Sequence, residues 1–465
     1  MKQTFKFFVA IAAMAAGMTA CSSEEIVPDV QSTIEHANLT IVINNNEPAT
    51  RAVVDANAVD SETEIKTITL FVFGQGTKVE ADTTFKAGEG TNPFKEVSGQ
   101  ENKFTATFLQ APIGAKNVYV GVNLPNDLKN FIKENGVAAV YELDELGKLA
   151  DLYPISTSNG FPMFSDGEQT PSLTIKQGQP NKLEVSVKRF VAKVTLQTSA
   201  AFEANANGER TADGVTVDKD LTFAMGQINT KFFPYPKKVG GKYQDPNYSA
   251  IVSGNAITYQ ADFINDWSHD FKNDLTWPGT AFDNFKAVAK DDDVKNGDMT
   301  KYVPRYVLEN TNEKRLEGEL TYATVEAKFT PKYTHSYSGS TVKATENTTN
   351  KNDYAFLYVF NDGGTFYYFT DKTEADQYKA DTGNGYLTYV NCICFYDVYL
   401  NPNEKNNVYR NDYYKITIEK ISRLGDPYPG TDHPTFEKDG KADLEVTITV
   451  QKWNLVAQPT ILGNE

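Results

Sequence analysis

The sequence predicts a mainly β protein built from sandwich domains, and three observations support this fold class. Short runs of alternating apolar and polar residues recur along the chain, separated by turn residues, which is typical of strands. Aromatic residues make up 12% of the chain, with 25 Tyr and 28 Phe, and aromatic side chains favour strands. The 465 residues are enough for two or three domains, and no solenoid-like repeat is visible in the first half.

The chain begins with the pattern of a secretory signal peptide, predicted over residues 1–20. Lys2 and Lys6 precede an apolar core, Phe7–Ala16, that is too short to span a bilayer. The segment Met18–Cys21 (MTAC) resembles a bacterial lipobox, in which Cys21 carries acyl chains such as palmitate and becomes the N-terminus. Several acyl chains on one residue anchor a protein stably. The acidic run after Cys21, SSEE, resembles the surface-export signal of Bacteroidetes lipoproteins. The alternative is a secreted soluble protein with an incidental Cys21.

Residues 36–54 (HANLTIVINNNEPATRAVV) combine a strand pattern with a candidate protease site. Leu39, Ile41 and Ile43 share one face of an extended chain. Asparagines, a glutamate and a proline then interrupt the pattern, and Arg51 follows among small residues. We predict that a protease cuts between Arg51 and Ala52, which would detach the strand and leave a groove in its sheet. The alternative is an ordinary first strand followed by a loop that contains one Arg.

The rest of the first half predicts strands around one helical segment. The run from Ile65 to Phe73 is apolar on both faces, as in a strand that is packed on two sides. Apolar residues at helical spacing between Asn126 and Leu152 predict two short helices separated by Gly136. The other strand patterns of this half are Phe104–Leu109, Val118–Asn123, Leu173–Ile175 and Leu183–Val187.

A domain boundary is predicted near Phe190, where KRFVAKVTL (residues 188–196) joins two strand patterns. The second half has long irregular inserts, 229–243 and 262–300. The acidic run 290–298 (KDDDVKNGD) lacks the glycine position and the distal glutamate of a calcium loop, so a solvated turn is the better interpretation. The strand patterns of this half are Glu319–Thr330, Phe356–Phe360, Phe366–Phe369, Tyr389–Leu400 and Tyr413–Ile421.

The last residues contain a strand pattern whose apolar phase slips by one position. Residues 442–450 alternate strictly, and then Trp453, Leu455 and Ala457 continue the apolar set on the other phase. We therefore predict a strand at 442–450 and a separate arm at 453–465, which Pro459 splits into two pieces. An apolar arm without a sheet of its own should bind elsewhere, whereas the alternative is a final strand folded onto its own domain.

Composition excludes several functions. A net charge of −16 argues against binding to nucleic acid or to an anionic membrane. Beyond Cys21 there are two cysteines, Cys392 and Cys394, which we interpret as buried free thiols because their spacing is poor for a mutual disulfide. No catalytic triad spacing, phosphate loop or metal-ligand motif stands out, so we expect no enzyme activity, no cofactor and no metal.

Four motifs stand in order along the chain: RFVAKVTL (189–196), YVLEN (306–310) with TYATVEAKFTPK (321–332), VYRNDYYKITIEKISRLG (408–425) and LEVTITVQKWNLVAQ (444–458). Together they resemble the fimbrillins of Bacteroidales, the subunits of type V pili, and most closely the shaft subunits of the minor fimbria. Lys452 stands where the family usually has a proline before the tryptophan, and the insert after the penultimate strand is short.

The resemblance implies two transthyretin-like β-sandwich domains in a lipoprotein precursor that is lipidated at Cys21. An Arg-specific surface protease would cut after Arg51 and remove the strand of Leu39, Ile41 and Ile43. The arm of one subunit would then fill the groove of the next. The arm's apolar residues are Trp453, Leu455, Val456, Ile461 and Leu462. The implied segments are a propeptide at 21–51, an N-terminal domain at 52–190, a C-terminal domain at 191–452 and the arm at 453–465.

The implied partners are further copies of the chain, the protease, accessory tip and anchor subunits, and host or bacterial surface receptors. The implied location is the outer membrane for the lipid-anchored precursor, followed by a cell-surface fimbrium that supports adhesion and biofilm formation. The runner-up hypothesis is a monomeric surface lipoprotein that binds glycan or peptide through its aromatic residues.

Overall fold

A computed structural model shows how these patterns are arranged. It describes residues 36–44, 64–87, 93–98, 103–143, 160–167, 171–204, 208–246, 248, 251–253, 256–258, 263–290, 303–311, 319–348, 353–430 and 444–452. Before Phe190 these ranges contain ten strands and one helix. They are β1 (His36–Asn44), β2 (Thr67–Phe73), β3 (Val79–Ala87), β4 (Pro93–Glu96), β5 (Lys103–Pro112), β6 (Gly114–Val122), α1 (Asn126–Asn135), β7 (Tyr141–Glu142), β8 (Met163–Ser165), β9 (Ser172–Ile175) and β10 (Asn181–Arg189).

The described residues after Phe190 are also dominated by strands, so the prediction of a mainly β fold is confirmed. Up to residue 308 the elements are β11 (Val191–Thr198), α2 (Ala200–Ala204), β12 (Glu209–Arg210), β13 (Val215–Val217), β14 (Thr222–Gly226), β15 (Ile228–Asn229), β16 (Lys231–Phe232), β17 (Lys238–Val239), β18 (Lys242–Tyr243), β19 (Ile251–Ser253), β20 (Ala256–Thr258), β21 (Phe263–Ile264), β22 (Lys286–Ala287) and β23 (Arg305–Leu308). The remainder are β24 (Tyr322–Pro331), β25 (Tyr333–Ser338), β26 (Thr341–Glu346), β27 (Phe356–Asp362), β28 (Thr365–Phe369), α3 (Lys372–Thr382), β29 (Leu387–Val390), β30 (Ile393–Tyr399), β31 (Asp412–Ile421) and β32 (Leu444–Lys452).

Nine of the ten described strands before Phe190 form one sheet that closes on itself. Its order is β2-β3-β4-β5-β1-β10-β8-β6-β9, and an added pairing of β2 with β6 completes a circuit of eight strands. Strand β2 is buried along almost its whole length, on both faces, as its two-sided apolar pattern predicts. Closing a sheet removes exposed edges, so every member of the circuit has a neighbour on each side.

Helix α1 ends where the sequence predicts, but the element after it is different. The helix buries Leu128 and Ile132, and Gly136, with a φ of 83°, closes it by donating its N–H to the carbonyl of Ile132. The predicted second helix is wrong at its start, because Tyr141 and Glu142 form β7, which pairs with β16. That partner lies about ninety residues away, so the local helical spacing could not reveal it. The rest of the predicted helix, 144–152, lies outside the described residues.

The strands after Phe190 form several smaller sheets. One has the order β23-β11-β31-β32, and another runs β12-β13-β24-β14-β22 with β30 also paired to β24. Within the insert predicted as irregular at 229–243, the structure has short strands, among them the β17–β18 hairpin. The predicted strand Tyr389–Leu400 is in fact two strands, because Asn391 and Cys392 both have a φ of 54° and turn the chain between β29 and β30.

A five-stranded sheet, with the order β26-β25-β28-β27-β29, carries helix α3 on one face. The carboxylate of Asp371 accepts the N–H of Glu374 at 3.1 Å and caps the helix start. Gly383, with a φ of 75°, ends the helix. Tyr378 of the helix packs against Phe360 and Phe369. The sequence analysis overlooked this helix, although a capping residue and a terminal glycine bracket it.

Phe190 lies where the two groups of sheets meet. The residue is fully buried and its ring contacts those of Phe164 and Phe232. The adjacent Arg189 donates to Asn411 Oδ1 at 3.0 Å, and Arg410 forms a buried ion pair with Glu309. The contact between Arg189 and Asn411 ties a residue before 190 to one after 300, and all described residues belong to one unit that begins at His36. The division into two sandwich domains at Phe190 therefore stays a prediction.

Candidate functional site

The candidate site is strand β1, which lies between β5 and β10. It runs antiparallel to β5, with Ile41 opposite Ala106, and parallel to β10, with Ile41 opposite Leu183. The predicted strand over Leu39, Ile41 and Ile43 is present. Because both of its edges are paired, β1 occupies an interior position in the sheet although it is the first described strand of the chain.

The inward face of β1 is apolar and completely covered. Leu39, Ile41 and Ile43 are all 0% exposed, and Ala37 is 8% exposed. They lie opposite Phe108, Ala106, Phe104 and Ala111 of β5, respectively. Burying three large aliphatic side chains contributes roughly 5–8 kcal/mol of gross transfer free energy. The strand is therefore part of the core and not a surface appendage.

Polar contacts hold the outer face and the start of β1. The hydroxyls of Thr40 and Thr107 are 3.3 Å apart, and Asn181 donates its side-chain N–H to the carbonyl of Asn38 at 3.0 Å. Lys103 of β5 and Glu184 of β10 form an ion pair of 3.8 Å. Their positions in the register, opposite Asn44 and Val42, place this pair across the outer face of β1.

Four residues that contact β1 were not predicted from the sequence: Lys103, Thr107, Asn181 and Glu184. No local pattern could have shown them, because each lies more than fifty residues from β1 and acquires its role only through strand pairing. The apolar alternation of Phe104–Leu109 and Leu183–Val187 did predict the two neighbouring strands. What it could not predict is that β1 lies between them.

The position of β1 in the circuit determines what its removal would do. It is a member of the ring of eight strands, and its neighbours β5 and β10 have no direct pairing with each other in the sheet order. Without β1, their facing N–H and C=O groups and the apolar surface behind them would form one open groove. Unpaired buried backbone groups cost about 1–3 kcal/mol each, so such a groove favours binding of another extended segment.

Strand β32 is the last described segment, and it lies at a sheet edge. It pairs with β31 alone among the described strands, with Ile448 opposite Ile416. This agrees with the predicted strand at 442–450. The chain leaves β32 at Lys452, immediately before the predicted arm.

Most of the other predicted site residues lie outside the described residues. These are Cys21, Arg51, Ala52 and the arm residues Trp453, Leu455, Val456, Ile461 and Leu462. The two remaining cysteines are described, and both are free and buried, as predicted. Burial raises the pKa of Cys392 to about 11 and that of Cys394 to about 12, so both remain protonated thiols at neutral pH.

The described residues contain no group of three or more His, Cys, Asp or Glu side chains that could hold a metal ion. Within the same ranges, no helix has the length and hydropathy needed to span a bilayer.

Two known protein families match the parts of the chain that contain these strands. The family described as major fimbrial subunit protein (FimA) matches residues 37–220, which include β1, β5 and β10. The family described as major fimbrial subunit protein type IV, fimbrillin, C-terminal, matches residues 387–458, which include β31 and β32. The two matches together cover more than half of the chain. Both are families of structural subunits of fimbriae, and neither is an enzyme family. The chain belongs to the fimbrillins, the major fimbrial subunit proteins.

Solved structures with a similar course of the chain include a proposed cell adhesion protein of Parabacteroides distasonis. It is 13% identical, with a TM-score of 0.47, and the match covers 90% of this chain and 99% of that one. The tip fimbrial protein Mfa3 of Porphyromonas gingivalis, with a C-terminal truncation, is 14% identical, with a TM-score of 0.34 over 90% and 100% of the two chains. A fimbrial assembly protein of Parabacteroides distasonis is 13% identical, with a TM-score of 0.35 over 90% and 96%. A search among curated proteins found no match.

Proposed function

We propose that the chain is a shaft subunit of a type V pilus that polymerises by donor-strand exchange after proteolysis. The precursor is exported as a lipoprotein anchored through Cys21. An Arg-specific surface protease cuts between Arg51 and Ala52 and releases β1, and the arm at 453–465 of another copy takes its place. The fibre then supports adhesion and biofilm formation, together with accessory tip and anchor subunits.

The observation that carries the proposal is the interior position of β1. Its neighbours β5 and β10 remain attached to the rest of the chain on the far side of Arg51, whereas β1 precedes Arg51. A cut there leaves the two walls of the groove in one piece and β1 in another. The precursor has its groove filled from within its own chain, which explains why it would remain monomeric until it is cut.

The composition of the arm fits the groove. In an extended chain Trp453, Leu455 and Ile461 fall on one face, as Leu39, Ile41 and Ile43 do in β1. Burying five apolar side chains of the arm contributes on the order of 10 kcal/mol gross, and each main-chain hydrogen bond adds roughly 1 kcal/mol net. Ordering the free arm offsets part of this gain. Strand addition of this kind takes its affinity from main-chain pairing and its specificity from alternating side-chain pockets.

The test is the N-terminal sequence of protein sheared from the surface of the producing cells as fibres. We expect the fibre protein to begin at Ala52. Fibres whose subunits begin at the acylated Cys21 would contradict the proposal, because β1 would still fill the groove in every subunit.

A second candidate, a monomeric lipoprotein that binds glycan or peptide, makes the opposite prediction about assembly. The cleaved or uncleaved chain would run as a single species on gels in mild SDS without heating. Donor-strand exchange predicts a ladder of species that heating collapses to one band.

A further inference from the structure

A cleft of about 330 Å³ opens between the five-stranded sheet and the loop after β31. The sheet face opposite α3 forms one wall, through Val359, Asn361, Phe366, Leu387 and Tyr389. Asp213 and the loop Arg423–Asp426 form the other wall. Ligand pockets in proteins usually start at about 300 Å³, so the cleft has room for one or two sugar rings.

Hydrogen bonds fix the two walls relative to each other. Tyr389 donates its hydroxyl to the carbonyl of Gly425 at 2.8 Å, and Tyr368 donates to the carbonyl of Asp213 at 2.6 Å. The carboxylate of Asp213 accepts the N–H of Leu424 at 2.7 Å. The cleft is therefore formed before any ligand arrives, which reduces the entropy lost on binding.

One wall of the cleft offers apolar and aromatic surface. Leu387 is 50% exposed, and Phe366 is half-buried beside it. The ring of Tyr386 lies on the other face of the sheet, where it contacts Tyr358 and Phe360 and donates its hydroxyl to Asp376 Oδ1 of α3 at 2.7 Å. Aromatic rings bring large, rigid contact area with little loss of rotamer freedom, and the C–H face of a pyranose is a flat apolar partner for them.

The opposite wall offers a cation and hydrogen-bonding groups. Arg423 is exposed, and its guanidinium makes no ion pair or hydrogen bond within the described ranges. A guanidinium binds a carboxylate through two parallel hydrogen bonds. Asn361 accepts the N–H of Gly364 through Oδ1 at 3.0 Å, which leaves its NH₂ group to donate to a ligand.

We propose that this cleft binds a pyranose that carries a carboxylate, such as a uronic acid or a sialic acid. Phe366 and Leu387 contact the ring, and Arg423 pairs with the carboxylate. The net charge of −16 and the nearby Asp213 and Asp426 oppose an anion. Binding therefore depends on Arg423 and weakens as salt screens the ion pair. This inference is independent of donor-strand exchange.

The test uses the full chain and ligand-detected NMR with glucuronic acid, N-acetylneuraminic acid and glucose. We expect at least one of the two acids to bind more than tenfold more tightly than glucose. Arg423→Gln should remove that preference. Lys343→Gln, which removes an exposed cation on β26 away from the cleft, is the matched control and should leave binding unchanged. Which acid binds distinguishes a uronic acid polymer from a sialylated glycan as the source.

A second variant fills the cleft without removing a charge. A Cβ built on Gly385, a residue of the cleft lining, has no atom within 4 Å, so Gly385→Trp brings a large side chain to the cleft without a clash at its Cβ. We expect this variant to fold and to lose binding. The proposal is overturned if neither acid binds, if glucose binds as tightly as the acids, or if Arg423→Gln or Gly385→Trp binds like the original chain. Fibre formation by the same variants reports separately on the proposed function.

Discussion

The first and the last described strands are both long and rich in β-branched residues, yet they occupy opposite positions. Strand β1 lies between β5 and β10 and has both edges paired, whereas β32 pairs only with β31 among the described strands. A strand with two partners cannot leave without breaking two ladders, and it leaves a groove behind it. An edge strand can continue into a tail without disturbing its sheet. Under the proposed strand exchange, this difference favours an acceptor role for the region of β1 and a donor role for the residues after β32.

The largest expected effect comes from blocking the release of β1. In Arg51→Ala the precursor should accumulate folded and monomeric, because the groove stays filled, and no fibres should form. Arg51→Lys is the matched control, since it keeps the positive charge but should also block an Arg-specific protease. Electron microscopy of cells and the size of the surface protein measure both outcomes. Normal fibres from Arg51→Ala would show that assembly does not require the release of β1, and they would contradict the acceptor role of this region.

An equally complete loss of fibres is expected from removing the donor. Deletion of 453–465 should leave cleavage after Arg51 intact, because β1 and its surroundings are unchanged. The cleaved subunit should then remain unassembled with an empty groove. Immunoblots of the surface fraction report cleavage, and shearing followed by microscopy reports assembly. Fibres of normal length from the truncated chain would show that the arm is not needed for assembly.

Replacing one isoleucine in β1 and one in β32 tests how differently the two strands are packed. Ile41 is 0% exposed in β1, whereas Ile448 in β32 is half-buried. Ile41→Ala should lower the free energy of unfolding of the precursor by about 2–5 kcal/mol. Ile448→Ala should cost less, because its site can be filled by solvent. Chemical denaturation of the two variants measures both values, and equal losses would contradict the distinction.

The sequence predicts the features that depend on neighbouring residues, and it does not predict those that depend on residues far apart in the chain. The alternation of Leu39, Ile41 and Ile43 predicts a strand because a strand's periodicity is local. Its interior position depends on pairing with β5 and β10, which lie some sixty and one hundred and forty residues further on and are not readable from one sequence. The same limit explains why Tyr141 and Glu142 were mistaken for helix. The cleft brings Asp213, Phe366 and Arg423 together across three separate elements.

A smaller effect is expected from pH, and it concerns the region after Phe190. Burial raises the pKa of Asp397, on β30, to about 7. Because the folded pKa exceeds the unfolded value of 3.8, the protonated side chain stabilises the fold at low pH. This stabilisation is lost as the pH rises from about 4 to about 7. Relative to the original chain, Asp397→Asn should gain on the order of 3–4 kcal/mol across that window.

Denaturation curves at pH 4, 5.5, 7 and 8 measure the pH effect. Asp283→Asn, at an exposed carboxyl shortly before β22, is the control and should show little change. An Asp397→Asn curve parallel to that of the original chain at all four values would contradict a buried carboxyl that titrates near neutrality.

The smallest effect is expected from the ion pair that crosses β1. Lys103→Gln removes the partner of Glu184, but both side chains are partly exposed and Glu184 retains Lys182 at 3.3 Å. The loss of precursor stability should stay below about 1 kcal/mol. A loss above 2 kcal/mol in denaturation would show that the outer face of β1 contributes to its retention, and not its buried face alone.

The ring of eight strands also bears on the form of the assembly. A ring has one vacancy when β1 is gone, and each subunit has one tail to offer. Under strand exchange each copy therefore binds one neighbour through its vacant ring and one through its tail, so growth gives an unbranched thread. Such a thread has two chemically different tips, one with a vacant ring and one with an unused tail, and each tip requires its own terminating partner.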